Sequence, residues 1–221
     1  MQTYNEFVRF YLENELDPRM PDVIDKLKFK DYAASKGIAT AAVIEPSDNC
    51  ILKVTSDSGG VAIVKNGECK NYKRLFKYKD RPYGKDKGEW FYEDIQWRLF
   101  AEEYLGDNLT DYKFHCHNGK VMFCQHIFDR QTGNTKECLI LPDRSILDYR
   151  LDENFEFNTD IDIPDNWDEL LEVARVLSED WKYVRVDLYN TDKIYAGELT
   201  FAPRAGKYTG VGQEKLGRYF S

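Results

Sequence analysis

The chain has 221 residues, 42% hydrophobic and 14% aromatic, enough apolar material for one domain or two closely joined subdomains and too much for a disordered chain. A net charge of −8 argues against a general binder of nucleic acid or acidic membrane, although 31 lysines and arginines leave room for a local basic pocket. No apolar run reaches the roughly 18 residues of a membrane span, the N-terminus "MQTYNEFVRFYLENELDPRM" has no signal-peptide pattern, and the five cysteines, without tight spacing, read as free thiols in a reducing cytoplasm.

Residues 3–16 predict an amphipathic helix with a stripe of Tyr4, Phe7, Val8, Phe10 and Tyr11, ended by Pro18 and Pro21. Residues 25–36 predict a second helix, stopped by Gly37. Strands follow over 42–44, 50–54 and 61–65, the last two joined by the turn-rich "TSDSGG". The lysine-rich stretch 66–88 reads as helix and loop, 89–98 is aromatic-rich, and 99–105 is a strand. Strands 112–117 and 121–128 flank Asn118-Gly119, a dipeptide suited to a tight hairpin turn. Short strands are also expected near 137–141 and 145–148, as extensions of the sheet. "DNWDELLEVARVLSEDW" is the strongest helix, with Asp165 as its cap and Leu170, Leu171, Val173, Ala174 and Leu177 inward. Hairpins with separated helices predict an α+β fold rather than a doubly wound parallel sheet.

The closing hairpin, "VRVDLYNTDKIYAGELTF", alternates Val184, Val186 and Leu188 with Arg185, Asp187 and Tyr189. A turn centred between Asp192 and Lys193 sets Asp187 opposite Glu198, on the face of Arg185 and Thr200. Facing carboxylates repel. A solvated face tolerates them, as does a dyad sharing one proton, as does a divalent cation. Magnesium suits the last, because it needs only one or two protein carboxylates plus phosphates.

Other signals are weaker alone. Lys53 precedes a Ser/Gly-rich turn whose backbone N–H groups could cradle an anion, but a hairpin lysine pointing at water reads the same. Lys26 and Lys30 share a helix face, as on any solvated helix. Glu102 and Glu103 end an apolar strand, as strand ends often do. In "HCHNGKVMFCQH" the tight turn pairs His117 with Lys120, His115 with Met122, Lys113 with Cys124 and Asp111 with His126, all on one face. The His and Cys side chains are too spread along the strands to meet at one zinc ion. No P-loop, Rossmann or G-x-S-x-G pattern is present.

The order of these signals is itself distinctive: "DK" on a helix, "LK" before a Ser/Gly loop, "AEEYL", a following acid, then "R-x-D" and "E-x-T" on a closing hairpin. It resembles the ATP-grasp superfamily. "AEEYLGDNLTDYKFHCHNGK", "DR", "VRVDLYNTDKIYAGELTF" and "EKLGRYF" resemble its TupA-like branch, associated with teichuronopeptide and other surface-polysaccharide biosynthesis. The likeness runs from about Asp25 to the C-terminus, and the domain that usually precedes the nucleotide-binding fold is not evident.

The resemblance implies an ATP-grasp fold, two α+β subdomains with antiparallel sheets gripping ATP. It divides the chain into an N-terminal helical segment, 1–45, and subdomains 46–105 and 106–221. Lys26 and Lys53 would hold phosphates, under a loop including Ser58, Gly59 and Gly60. Glu102, Glu103, Tyr104 and Leu105 would form the hinge against adenine, with Asp111 at the ribose and Lys113 beside it. Arg185, with Lys53 and Arg130, would serve catalysis. Asp187, Glu198 and Thr200 would bind Mg2+, Thr200 standing where the superfamily usually has asparagine.

The implied reaction is ATP-dependent ligation of a small-molecule or sugar-linked carboxylate to an amine, such as an amino acid, through an acyl-phosphate. No nucleic acid or membrane insertion is expected, the location is cytoplasmic, and a homodimer is allowed. A kinase on the same fold and a non-catalytic nucleotide- or glycan-binding module are the alternatives.

Overall fold

The computed structural model describes residues 2–15, 17–81, 83–84, 88–107 and 109–220. Leu16 of the expected first helix, and residues 82 and 85–87 of the lysine-rich stretch, lie outside them. The chain forms two compact units, one of Asp17–Gly106 and one of Met1–Leu16 with Asp107–Ser221. The first 45 residues are therefore shared between the units.

In the unit of Asp17–Gly106, helix α2 (Met20–Ile24) has Pro21 in its first turn, where its missing N–H costs nothing, so Pro21 opens a helix. Helix α3 (Lys26–Ser35) is capped by Asp25, whose carboxylate accepts from the Leu27 N–H at 3.0 Å. It ends before Gly37, whose φ of +74° suits glycine. Strands β1 (Val43–Ile44), β2 (Cys50–Val54), β3 (Val61–Lys65), β4 (Glu68–Lys70) and β5 (Leu99–Glu103) form an antiparallel sheet in the order β1-β5-β2-β3-β4. One face is apolar: Cys50, Val54, Ala62, Val64 and Ala101 pack with Leu52, Cys69, Leu75 and Trp97. Strand alternation sends Lys53 and Glu102 to the other face. The lysine-rich stretch supplies β4 and a 3-10 turn, Tyr72–Phe76.

The second unit holds the sheet β11-β10-β6-β7-β8-β9, built from β6 (Asp111–His117), β7 (Lys120–Phe128), β8 (Lys136–Ile140), β9 (Glu156–Phe157), β10 (Tyr183–Asn190) and β11 (Ile194–Thr200). Helix α4 (Trp167–Ser178) packs against β10, β6 and β7. Trp167, Leu170, Ala174 and Leu177 are its buried residues, while Leu171 and Val173 are half-buried. Its N-cap is Asn166 rather than Asp165, and Asn166 makes no capping bond. The Asn166 amide instead pairs reciprocally with Asn190 of β10, at 2.9 and 3.0 Å.

Helix α1 (Tyr4–Asn14) has a capping box between Thr3 and Glu6. Tyr4, Phe7, Val8 and Tyr11 are buried, but Phe10 points to solvent at 59% exposure. Tyr4 reaches β6 and β10, its hydroxyl 2.5 Å from His115 Nδ1 and 2.6 Å from the Tyr183 hydroxyl.

A β-bulge between His115 and Cys116 shifts the expected β6–β7 register by one residue. His115 pairs with Phe123, Phe114 with Cys124, Lys113 with Gln125 and Tyr112 with His126. Cys124 and His126 therefore share the face of Phe114 and Tyr112, opposite to His115, Lys113 and Asp111. A one-residue slip moves every later side chain to the other face. Among the described residues no group of three or more His, Cys, Asp and Glu is placed to hold a metal ion.

Two buried histidines give stability a pH dependence. Burial holds His126, stacked on Tyr112 at 4.4 Å, down to about 4. Burial, with Arg185 nearby, holds His115 well below 6.5. The unfolded chain therefore binds the extra protons as pH falls below 6.5. Stability present above that pH is lost towards pH 4, by up to about 1.4 kcal/mol per pH unit for each histidine. His126→Phe keeps the stack and should flatten this slope in urea titrations below pH 6.5; an unchanged slope would show that His126 is not held neutral by the fold.

Candidate active site

The functional side chains expected from sequence collect in two charged clusters, one in each unit. In the unit of Asp17–Gly106 the centre is Glu102, which is 4% exposed. Its carboxylate pairs with Lys53 Nζ at 2.5 Å and Lys30 Nζ at 2.7 Å. Burial pushes the Glu102 carboxyl up, but Lys53 and Lys30 outweigh it and hold it below the usual range. Burial lowers Lys30 against the pull of Glu102. Lys53 and Glu102 meet because β2 and β5 are neighbours with both side chains on one face. Lys30 comes from α3, and its ammonium also donates to the Ala41 carbonyl at 2.5 Å.

Lys26, one helical turn before Lys30, is buried as well. Its ammonium donates to the Val54 carbonyl at 3.1 Å and to that of Asp57, at the base of the loop 55–60. Gly60 closes this loop. Its N–H donates to Asp57 Oδ1 at 2.6 Å, and a Cβ there would lie 2.3 Å from the Val54 side chain, so only glycine fits. Ser58 and Gly59 form the exposed tip, Gly59 at φ +88°. Ser56 Oγ is buried and has no hydrogen-bond partner among the described residues. Glu103 accepts from the Ala42 N–H at 2.9 Å, the Tyr104 ring lies 6.0 Å below the Lys65 ammonium, and Leu105 is half-buried.

In the second unit a row of alternating charge runs along one sheet face. Arg130 pairs with Asp111; Asp111 lies 3.8 Å from Lys113; Lys113 pairs with Asp187; Asp187 pairs with Arg185 at 2.6 Å. Arg185 Nη2 then reaches Asp187 Oδ2 at 2.7 Å, Thr200 Oγ1 at 3.0 Å and Glu198 Oε1 at 3.4 Å. The register sets Asp187 opposite Glu198 and Arg185 opposite Thr200, as the hairpin reading required. The two carboxylates are not left facing each other, because the Arg185 guanidinium bridges them. Burial raises the Asp187 carboxyl, but Arg185 and Lys113 outweigh it and hold it at about 2. Burial likewise works against the Arg185 charge, and Asp187 holds it protonated.

The register survives an error in the expected turn. The loop between Asn190 and Ile194 has three residues, which alone would set Asp187 opposite Gly197. A bulge between the pairs Asp187–Glu198 and Leu188–Ala196 leaves Gly197 unpaired and restores the alignment. Gly197 is required there, since a Cβ would lie 2.9 Å from the Tyr189 ring.

Two supports of this row had no sequence signal. Tyr208, in an irregular stretch after β11, is buried and hydrogen-bonded to Arg185; burial raises its hydroxyl to about 12 against the pull of that charge. Asn5 of α1 holds the Tyr208 backbone through two bonds, 2.8 Å to its carbonyl and 3.0 Å from its N–H. His115 pairs with Arg185 across the strands.

The sequence matches the TupA-like ATPgrasp family over residues 25–220. No curated protein matches. Among solved structures, D-alanine–D-alanine ligase from Bacillus anthracis, complexed with ATP, is 16% identical over 90% of this chain and 63% of its own, with a TM-score of 0.47. The ATP-grasp ligase PsnB, complexed with a precursor variant, Mg and ADP, is 15% identical over 83% of this chain and 52% of its own, with a TM-score of 0.44. The N5-carboxyaminoimidazole ribonucleotide synthetase from Thermotoga maritima is 14% identical over 80% of this chain and 41% of its own, also at 0.44. The chain spans less than two thirds of the length of each. The family match covers most of the sequence and contains every charged side chain of both clusters: the chain belongs to the TupA-like ATP-grasp family and has the α+β ATP-grasp fold.

Proposed function

We propose that this protein is an ATP- and Mg2+-dependent carboxylate–amine ligase, joining an amino acid or similar amine to a surface-polysaccharide sugar acid or its precursor through an acyl-phosphate. The observation that carries the reading is the face shared by Arg185, Asp187, Glu198 and Thr200, in a chain of the TupA-like ATP-grasp family. Two carboxylates and a hydroxyl are hard oxygen donors and fit magnesium. Bound there, the ion would neutralise charge developing on a transferred phosphoryl group. Arg185 and Lys113 now neutralise Asp187, and both are suited to turn to phosphate oxygens. Lys26, Lys53 and the loop carrying Ser58, Gly59 and Gly60 are assigned to phosphate, residues 102–105 to the base, Asp111 to the ribose, and Arg130 to catalysis.

Hydroxylamine tests the reaction type. An acyl-phosphate is intercepted as a hydroxamate when ATP, Mg2+ and the carboxylate are present, and omitting any one of the three should abolish the product. ADP release with a stable phosphoester and no hydroxamate would identify a kinase. Tight ATP binding without ADP release, across uronic acids and amino acids, would identify a binding module.

Lys53→Ala tests the phosphate assignment. The sequence allowed a lysine pointing at phosphate or at water, but its pairing with buried Glu102 gives it a structural role as well. Glu102 retains Lys30, so the loss of stability should be about 1–2 kcal/mol, while ATP affinity falls roughly 10- to 100-fold. Unchanged affinity in calorimetry would remove Lys53 from the phosphate set.

A further inference from the structure

The segment 65–81 has a charge at odds with the rest of the chain. It carries seven lysines and arginines against two acids, a local charge of +5 in a protein of net −8, which leaves −13 elsewhere. All seven cations are exposed. Lys70, Lys73, Arg74, Lys77 and Lys79 make no ion pair among the described residues, although the chain has 39 acids to offer. Aromatic rings are exposed beside them. Tyr72 and Phe76, at the two ends of the 3-10 turn, are 52% and 46% exposed. Phe76 lies 5.8 Å from the Trp97 ring, and the Lys79 ammonium lies 5.4 Å above that ring. The Trp97 indole N–H turns inward to the Leu75 carbonyl at 3.1 Å.

These cations do not belong to the phosphate cluster. Leu75 anchors the turn on Val54 and Ala62, on the sheet face opposite to Lys53 and Glu102. A substrate subsite has to adjoin Lys53, and this patch is on the far side of the sheet. Lysines without an ion pair, alternating with exposed aromatic rings along one turn, suit a water–lipid interface. The rings enter the headgroup layer there, and the ammonium groups meet lipid phosphates. A glycan site would instead need a groove.

We propose that the 3-10 turn Tyr72–Phe76 and its flanking lysines dock this protein reversibly on an anionic phospholipid surface. The docking does not depend on the ligase reading, since it uses none of the residues assigned to ATP.

Flotation of the full chain with vesicles tests it. The protein should bind phosphatidylglycerol–phosphatidylcholine vesicles, leave pure phosphatidylcholine vesicles unbound, and be released by about 1 M NaCl, where the Debye length is about 3 Å. The triple variant K73E/R74E/K77E should lower partitioning at least roughly 100-fold, from about fivefold for each basic side chain lost. Phe76→Ser should weaken binding several-fold while leaving its salt dependence intact. Both variants alter exposed side chains, so circular dichroism and ATP binding should match the parent. Absence of binding to anionic vesicles at low salt, equal binding to neutral ones, or binding that survives the triple variant would overturn the proposal. Binding to polygalacturonate but not to vesicles would also overturn it, in favour of an anionic glycan.

Discussion

Asp187→Asn should cost the metal-free protein about 3 kcal/mol and lower its melting temperature by roughly 10 °C. Among the described residues the Asp187 carboxylate is the nearest counterion of Lys113, with Asp111 farther off at 3.8 Å, and it is the main one for Arg185. Both cations are nearly buried. Asparagine keeps the size of the side chain but leaves the two charges facing a neutral amide, and removing one partner of a buried pair is far costlier than its net worth. The same group gives an acid signature. Its folded pKa of about 2 lies below the ordinary aspartate value of 3.8, so the stabilisation is complete above pH 4 and is lost as pH falls towards 2. That loss is roughly 2 kcal/mol and should be missing from the variant. A melting temperature within a degree or two of the parent would mean that Asp187 does not hold the row together.

Glu198→Gln should have the opposite profile, with a small change in stability and a large one in turnover. The Glu198 side chain is 36% exposed and reaches Arg185 only at 3.4 Å. Sequence alone suggested that removing its charge would relieve repulsion from Asp187. The Arg185 guanidinium already does so, and the expected stability change is within about 1 kcal/mol. If Glu198 ligates magnesium, hydroxamate formation should fall by roughly two to three orders of magnitude, because the metal contributes several kcal/mol at the transferring phosphoryl group. A variant that turns over normally would remove Glu198 from the metal set. A variant that loses several kcal/mol of stability would make it a structural partner of Arg185. Together the two substitutions separate the residue that organises the row from the residue that faces solvent beside it.

Local pattern alone determined much of the architecture. The β2 and β3 limits follow from alternating apolar residues bounded by turn residues, and the α3 stop follows from Gly37. The pairing of Asp187 with Glu198 followed from strand period with a misplaced turn, and only the bulge at Gly197 brought the two residues back into line. Tertiary structure decided what those residues touch. A bulge at His115 and Cys116 carries no residue signature, and it moved Cys124 and His126 to the α4 side of the sheet. Pro21 opened a helix because its neighbours could follow it, and Asn166 gave up capping for a partner on β10. Glu102, read as a solvent-reaching strand end, became the buried counterion of two lysines, one of them delivered by a helix far away in sequence. Arg185 filled the gap between two carboxylates because desolvated charges need the nearest opposite charge, and only the folded sheet determines which one that is.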